Sequence, residues 1–300
     1  MLEIIDSIRG ELIFSEPLRK HTSLRVGGEA EYFFKPVDID DLKLFLSKIE
    51  IDIPIFWLGR GSNLLVRDGG LRGIVISASK LLKEIVKLND NYIEVGANIP
   101  CTTLAKKCIR WNMGPSEFFS GIPGSLGGAL AMNAGAYGYE TWERVVSVKT
   151  IDRIGNIHVR SPKDYLIGYR QVKGPIDEWF LSAKLVFDSN DIPSIEKQKK
   201  MLMHRKNTQP LGQPSCGSVF RNPPNNFAAK LIEESNLKGY RIGGAAISKK
   251  HANFIITDQT AISKDVETLI NHTKEIVKKI HNIDLQCEVK IVGDHKNYVD

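Results

Sequence analysis

The chain has 300 residues, enough for two or three domains with a core each, and its 42% apolar and 25% charged content is that of an ordinary soluble globular protein. No apolar run approaches a membrane span, and the opening MLEIIDSIRGELIF carries acids where a signal peptide needs a basic start and an apolar block. The net charge of +6 is modest and the lysines are scattered rather than interleaved with aromatics, which argues against nucleic acid and suits an anionic small molecule.

Residues 31–36 (EYFFKP) read as a short strand. Residues 39–49 read as a helix, with Leu42, Phe45, Leu46 and Ile49 on one stripe and Asp38 as N-cap. A strand at 53–58 runs into the turn G-R-G-S-N (59–63), and 64–66 and 73–77 read as further short strands. This βαββ unit predicts a first domain at 1–80.

A second domain, 81–190, opens with strands at 82–88 and 92–95 and a helix at 101–111. Cys101 and Cys108 fall one heptad apart on that helix and suit core packing. A glycine-rich stretch follows, then strands at 145–152, 157–161 and 179–187 and the polar break S-N-D-I-P. The third domain, 191–300, starts with a basic amphipathic helix at 195–207 and a Pro/Gly loop at 209–224. A helix at 228–235 is expected to be capped by Asn225 or Asn226, with Gly239 past its end. A strand at 253–257 precedes the clearest helix, 263–280, whose Val266, Leu269, Ile270, Thr273, Val277 and Ile280 share a face and whose cap is Ser263. A strand at 285–292 closes the chain. The four cysteines (Cys101, Cys108, Cys216 and Cys287) form no C-x-x-C pair, and no His cluster sits at zinc spacing. The expectation is free thiols in a reducing cytoplasm and no metal centre.

Residues 120–138, SGIPGSLGGALAMNAGAYG, carry glycine at 121, 124, 127, 128, 135 and 138, interleaved with Pro123, Ser125 and Asn133. Such backbone must pass close to something. Its bare peptide N–H groups make a concave surface that suits a pyrophosphate, and Ile122, Leu126, Leu130 and Met132 argue for burial over a plain surface loop. The turn Gly59, Arg60, Gly61, Ser62, Asn63 directly after a strand is a second candidate cradle. It is not a dinucleotide fingerprint, because the third glycine is missing and Leu64 continues as strand.

Ser218 lies beside Gly217 in P-S-C-G-S-V-F-R-N-P, with Lys206 twelve residues before and Asn222 four after, both suited to phosphate or amide contacts. Alone, such a serine reads first as a capped turn, and no G-x-S-x-G elbow surrounds it. Alternation puts Leu285, Cys287, Val289 and Ile291 on one face, so Glu288 points the other way, to solvent or into a cleft. Arg170 in G-Y-R-Q is equally open.

Taken together, HTSLRVGG, GRGSNLLV, GIPGSLGGALAMNAGAYG, YR, GSVFRNP and a closing L-x-x-E-V resemble, in order and over nearly the whole chain, the UDP-N-acetylenolpyruvoylglucosamine reductases (UDP-N-acetylmuramate dehydrogenases). The resemblance implies an α+β chain: a two-subdomain FAD-binding fold of the vanillyl-alcohol-oxidase type plus a C-terminal α+β substrate-binding domain. It implies a cytoplasmic, monomeric NADPH- and FAD-dependent oxidoreductase of peptidoglycan precursor synthesis, acting on a small UDP-sugar.

Residue by residue, Ser218 matches the proton donor, and Arg170 and Glu288 match the pair that stabilises the intermediate, Glu288 helping only if protonated or sharing a proton. Lys206 and Asn222 match positions that hold the UDP phosphates. The FAD pyrophosphate cradle matches Gly59, Arg60, Gly61, Ser62, Asn63 and Leu64, with Gly121, Ile122, Pro123, Gly124, Ser125, Gly127, Gly128, Asn133 and Gly135.

The chain departs from the family pattern at Cys216, where a small residue is usual, and at Arg170-Gln171-Val172, where Arg-x-Ser is common. It resembles the shorter type, without the tyrosine-bearing segment that covers the substrate. Two competing readings are a flavin oxidase of alcohols or sugars on the same fold, and a non-catalytic flavin- or nucleotide-binding module. The first has no need of Ser218 and Glu288. The second could lose Arg170, Ser218 and Glu288, and all three are present.

Overall fold

A computed structural model describes residues 7–188 and 190–296; Ser189, in the expected break, lies outside them. In chain order the elements are β1 (Glu11–Pro17), β2 (Glu29–Lys35), α1 (Ile39–Lys48), β3 (Ile55–Trp57), β4 (Leu64–Val66), β5 (Leu71–Ile76), β6 (Ile85–Lys87), β7 (Tyr92–Gly96), α2 (Cys101–Arg110) and α3 (Leu126–Met132). Then come β8 (Gly135–Ala136), β9 (Tyr139–Glu140), β10 (Val145–Asp152), β11 (Ile157–Arg160), β12 (Leu166–Gly168), β13 (Gln171–Lys173), β14 (Glu178–Val186) and α4 (Ile195–Thr208). The remainder is β15 (Ser215–Ser218), α5 (Ala228–Glu234), β16 (Arg241–Ile242), β17 (Ala245–Ile247), β18 (Phe254–Thr257), α6 (Ser263–His281) and β19 (Lys290–Val292).

The chain forms two compact units, each discontinuous in sequence. Unit 1 takes in the described residues up to Ile13, Phe33–Arg60 and Val75–Arg205. Unit 2 takes in Phe14–Tyr32, Gly61–Ile74 and the described residues from Lys206 on.

In unit 1, α1 starts where the sequence places it: the Asp38 carboxylate accepts the Asp41 N–H at 2.9 Å. Its stripe of Leu42, Phe45 and Leu46 is buried, each side chain contributing about 2 kcal/mol. Phe45 stacks on Phe34 with ring centroids 3.8 Å apart. The main sheet runs β11-β10-β14-β7-β6 and is antiparallel throughout. Against it α2 buries Cys101, Leu104, Ala105, Cys108 and Ile109, the i, i+3, i+4, i+7 spacing of one helical face.

The burial expected within the glycine-rich stretch is found: residues 126–132 form α3 and bury Leu126, Ala129 and Leu130. One expectation is corrected here. Helix α4 is not amphipathic in the apolar sense: its buried residue is Gln198, whose amide donates to the Ser120 hydroxyl at 2.7 Å, and it clusters with unit 1 up to Arg205.

In unit 2, the sheet β15-β18-β17-β16 and the parallel pair β4–β19 enclose a core with α5 and α6. Helix α6 buries Val266, Leu269, Ile270, Thr273 and Val277 as its spacing requires, but Ile280, in its last turn, is 55% exposed. Ser263 is not its cap. Asp68 accepts the N–H groups of Ser263 and Lys264, both at 2.9 Å, and the Ser263 hydroxyl instead donates to the Val66 carbonyl at 2.6 Å. A carboxylate at a helix N-terminus meets the positive end of the macrodipole, and here it arrives from 195 residues away. At α5 the Ala228 N–H is taken by Asn222 Oδ1 at 3.1 Å rather than by Asn225 or Asn226, and Asn236 (φ 58°), not Gly239, makes the left-handed turn after its end. No described helix is long and apolar enough to cross a membrane.

Candidate active site

The two glycine segments meet in unit 1 at Ser125. The chain leaves β3 for Gly59, and a Cβ there would find only the Ser125 hydroxyl, 3.5 Å away. A Cβ at Gly128 would find only the same oxygen, at 3.9 Å. Ser125 stands just before α3 in extended backbone, and its carbonyl accepts the Ala129 N–H at 3.0 Å. Gly59 and Gly128 thus leave open space on either side of one hydroxyl.

The other glycines are spent differently. A Cβ at Gly127 would press on Ala97 Cβ at 3.1 Å, at Gly121 on Ala136 Cβ at 2.7 Å, and at Gly135 on the Tyr139 carbonyl. Gly127 and Gly135 let backbone pack closely inside the unit, and Gly121 makes room for the Ala136 and Tyr137 side chains. The Leu126 and Gly127 N–H groups donate to Ile99 and Ala97 carbonyls at 2.9 and 2.8 Å, and the Gly124 carbonyl accepts from Cys101 N–H at 3.0 Å. Ile122 is buried beside Pro123, and the Arg60 guanidinium is exposed, with its charge felt at the Cys101 thiol.

Arg170 lies at the tip of the β12–β13 hairpin. Gly168 pairs with Gln171, so Tyr169 and Arg170 form a two-residue turn, with Arg170 left-handed at φ 55°. Its guanidinium donates to the Asn133 carbonyl at 3.4 Å and the Gly135 carbonyl at 3.0 Å, which fastens it to the glycine-rich stretch. It also stacks over the Tyr169 ring at 5.0 Å.

In unit 2, Ser218 ends β15 and pairs with Phe254 of β18. The next residues are clamped by Asn253: its backbone carbonyl accepts Val219 N–H at 2.9 Å, its Oδ1 accepts Phe220 N–H at 2.9 Å, and its Nδ2 donates to the Phe220 carbonyl at 2.8 Å. Gly217 is left-handed at φ 78° with nothing near its missing Cβ. Burial pushes the neighbouring Cys216 thiol up to about 12, so at neutral pH it carries no thiolate.

Glu288 is held across from Val219. The expected strand 285–292 is regular only over β19. At Glu288 and Val289 both N–H groups converge on the Val219 carbonyl, at 2.8 and 3.3 Å, as at a β-bulge. The expected alternation holds across this point, with Leu285, Cys287, Val289 and Ile291 on the core and Glu288 off that face and half-buried. Asn63 belongs to this corner, its Nδ2 donating to the Glu288 carbonyl at 2.9 Å and its carbonyl accepting Lys290 N–H at 3.0 Å, while Leu64 pairs with Lys290. Gly61 is required by shape, since it sits at φ 60° with its Cβ direction filled by the His21 carbonyl. Ser62 adjoins it, half-buried. Lys206 and Asn222 are exposed, the Lys206 carbonyl accepting Lys250 Nζ at 2.5 Å and the Asn222 amide capping α5. Asn253, and Glu140 whose Oε2 accepts Asn133 Nδ2 at 2.6 Å, carry no periodic or motif signal and are missed by sequence reasoning.

Residues 30–160 match the FAD binding domain family, and residues 209–292 match the C-terminal domain of UDP-N-acetylenolpyruvoylglucosamine reductase. Fold and site define an FAD-dependent oxidoreductase of α+β class, with the C-terminal α+β domain expected from the sequence. The chain is 50% identical over 288 residues to the UDP-N-acetylenolpyruvoylglucosamine reductase of Legionella pneumophila (strain Paris), covering 95% of each chain. It is 48% identical over 287 residues to that of Methylococcus capsulatus, covering 95% and 94%. The crystal structure of UDP-N-acetylenolpyruvylglucosamine reductase from Thermus caldophilus is similar at a TM-score of 0.76 and 30% identity, over 95% of this chain and 99% of that one. The chain belongs to the UDP-N-acetylenolpyruvoylglucosamine reductase family.

Proposed function

We propose that the chain, as a cytoplasmic monomer, reduces the enolpyruvyl ether of UDP-N-acetylglucosamine to UDP-N-acetylmuramate, a peptidoglycan precursor, with NADPH as electron source. The observation that carries this reading is the backbone register of unit 2, which sets the Glu288 N–H on the carbonyl of Val219, the residue after Ser218. A hydroxyl donor and a carboxyl group are thereby held on neighbouring segments by main-chain bonds.

The residues fit FAD: Gly59 and Gly128 leave the space around Ser125 that a pyrophosphate needs, and Arg60 brings a positive charge to the same segment. Ile122, Pro123 and Gly124, in the same unit, complete that cradle. Bound there, FAD supplies to the terminal vinyl carbon the hydride that it has taken from NADPH.

The chain does the rest. Ser218 Oγ–H gives the α-carbon its proton, a weak acid made useful by placement. Arg170, its guanidinium oriented by two carbonyls, stabilises the charge that grows on the substrate carboxylate side. Glu288, protonated or sharing a proton, supports the same charge, while Lys206 and Asn222 meet the diphosphate. A three-part division at 1–80, 81–190 and 191–300 goes with these roles: cofactor in the first two parts, substrate in the third.

The test is to purify the protein, look for bound flavin, reduce it with NADPH, and follow reoxidation by the enolpyruvyl nucleotide. A protein that takes up no FAD, or whose reduced flavin ignores that nucleotide, would overturn the reading.

A further inference from the structure

Asn133 ends α3 in the left-handed region (φ 47°) and is 1% exposed. Its amide is spent inside unit 1. Oδ1 accepts the Trp142 N–H at 3.1 Å, while Nδ2 donates to Glu140 Oε2 at 2.6 Å and to the Gly168 carbonyl at 3.2 Å. An asparagine amide has two N–H groups, and both are thus accounted for. The Asn133 backbone carbonyl, and that of Gly135, accept the two bonds from Arg170.

One residue therefore grips the Arg170 hairpin at two points, the base of its turn through Gly168 and the guanidinium itself. The hairpin is small, and most of its outer face is exposed. A two-stranded ribbon with three residues a side is not stable alone. Tyr165 and Val172 pack on the core, but Leu166, Ile167 and Tyr169 are exposed. Glu140 fixes the amide's orientation, since its carboxylate can only accept and so faces the NH2 end.

We propose that Asn133, backed by Glu140, is a positioning residue for Arg170 in the substrate-reducing half-reaction, and that its side chain is not a ligand of the cofactor. This rests on the proposed reductase activity. Asn133→Gly keeps the left-handed backbone without strain and deletes the amide. Asn133→Asp keeps the shape and turns the donors facing Glu140 into acceptors.

In both variants of the FAD-loaded protein, bound flavin per chain and the rate of flavin bleaching by NADPH are expected to stay within about twofold of wild type. Reoxidation by the enolpyruvyl nucleotide is expected to slow roughly ten- to a hundredfold, the scale of a misplaced catalytic group. In an Arg170→Lys background Asn133→Gly should add less than about threefold, because the two act as a unit. Backbone hydrogen exchange over 166–173 should quicken in the variants, with or without flavin.

Lost FAD affinity together with slowed bleaching would make Asn133 a cofactor ligand and overturn the proposal, as would unchanged reoxidation. If the Asn133 variants do not fold, Glu140→Ala should slow reoxidation and Glu140→Gln, which still accepts, should restore most of it. Equal rates in those two and wild type overturn the proposal. If wild-type reduced flavin does not respond to the enolpyruvyl nucleotide, the proposed function falls, and the exchange rates over 166–173 still decide whether Asn133 holds the Arg170 hairpin.

Discussion

Ser218 and Arg170 reach their positions by opposite means. Ser218 is placed by main chain: its strand pairs with β18, and Val219 N–H adds a further backbone bond. Arg170 sits at the tip of a mostly exposed hairpin whose turn is tied to one buried side-chain amide, and its own guanidinium bonds the Asn133 and Gly135 carbonyls. A ladder survives most side-chain changes because its bonds belong to the backbone. A pin fails with a single substitution. The proposed proton donor is thus built into a sheet, while the guanidinium proposed to stabilise charge depends on one asparagine.

The largest expected effect tests the sheet-held partner. Ser218→Ala should leave flavin reduction by NADPH intact and slow reoxidation by the enolpyruvyl nucleotide about 10³-fold. Equal damage to both half-reactions, followed by stopped-flow absorbance, would show that the hydroxyl is not the proton donor.

Next come changes that break the support instead of the group. Asn253→Ala strands the buried Phe220 N–H and carbonyl and should cost on the order of 2–4 kcal/mol in denaturant unfolding. That loss should come without the split between half-reactions expected of Asn133→Gly, and a clean split would erase the contrast between ladder and pin. Glycine offers a finer comparison. Gly61→Ala meets the His21 carbonyl as well as left-handed strain and should cost about 3 kcal/mol or more, whereas Gly217→Ala meets open space and should cost only about 1 kcal/mol of strain. Similar costs at the two sites would mean that strain alone matters.

The smallest effect is on pH dependence. Burial pushes the thiols of Cys101 and Cys108 in unit 1, like that of Cys216 in unit 2, up to about 12 from their ordinary value of 9.0. The folded thiols keep their protons while unfolded ones ionise. The unfolded state then binds fewer protons, and stability falls from about pH 9 upward and goes on falling toward the folded value. Urea midpoints at pH 8 and pH 10.5 should show the decline, and Cys108→Ala should lessen it. All three thiols should resist alkylation at pH 8 in the folded protein.

Much of this was legible in the residues. The stripes of α1, α2 and α6 and the Asp38 cap follow from periodicity and local side-chain chemistry, and the motifs are quoted from sequence alone. Three features were not legible. Helix α3 hides among glycines because its stability comes from burying Leu126, Ala129 and Leu130 rather than from propensity. The Asp68 cap of α6 is a contact across 195 residues, invisible to any local rule. The sharing of the Val219 carbonyl by the Glu288 and Val289 N–H groups is set by a segment distant in sequence.

Sequence by itself determined where backbone must be glycine, which faces are apolar and which residue types are available for proton transfer and charge stabilisation. Only tertiary structure decided what each glycine is for: open space beside Ser125 at Gly59 and Gly128, closely packed backbone at Gly127 and Gly135, and room for the Ala136 and Tyr137 side chains at Gly121. It also turned Asn133 inward, to Trp142, Glu140 and Gly168. The reason is physical. A missing side chain or an amide states what a position permits, and the use made of it depends on which distant atoms the fold brings within reach.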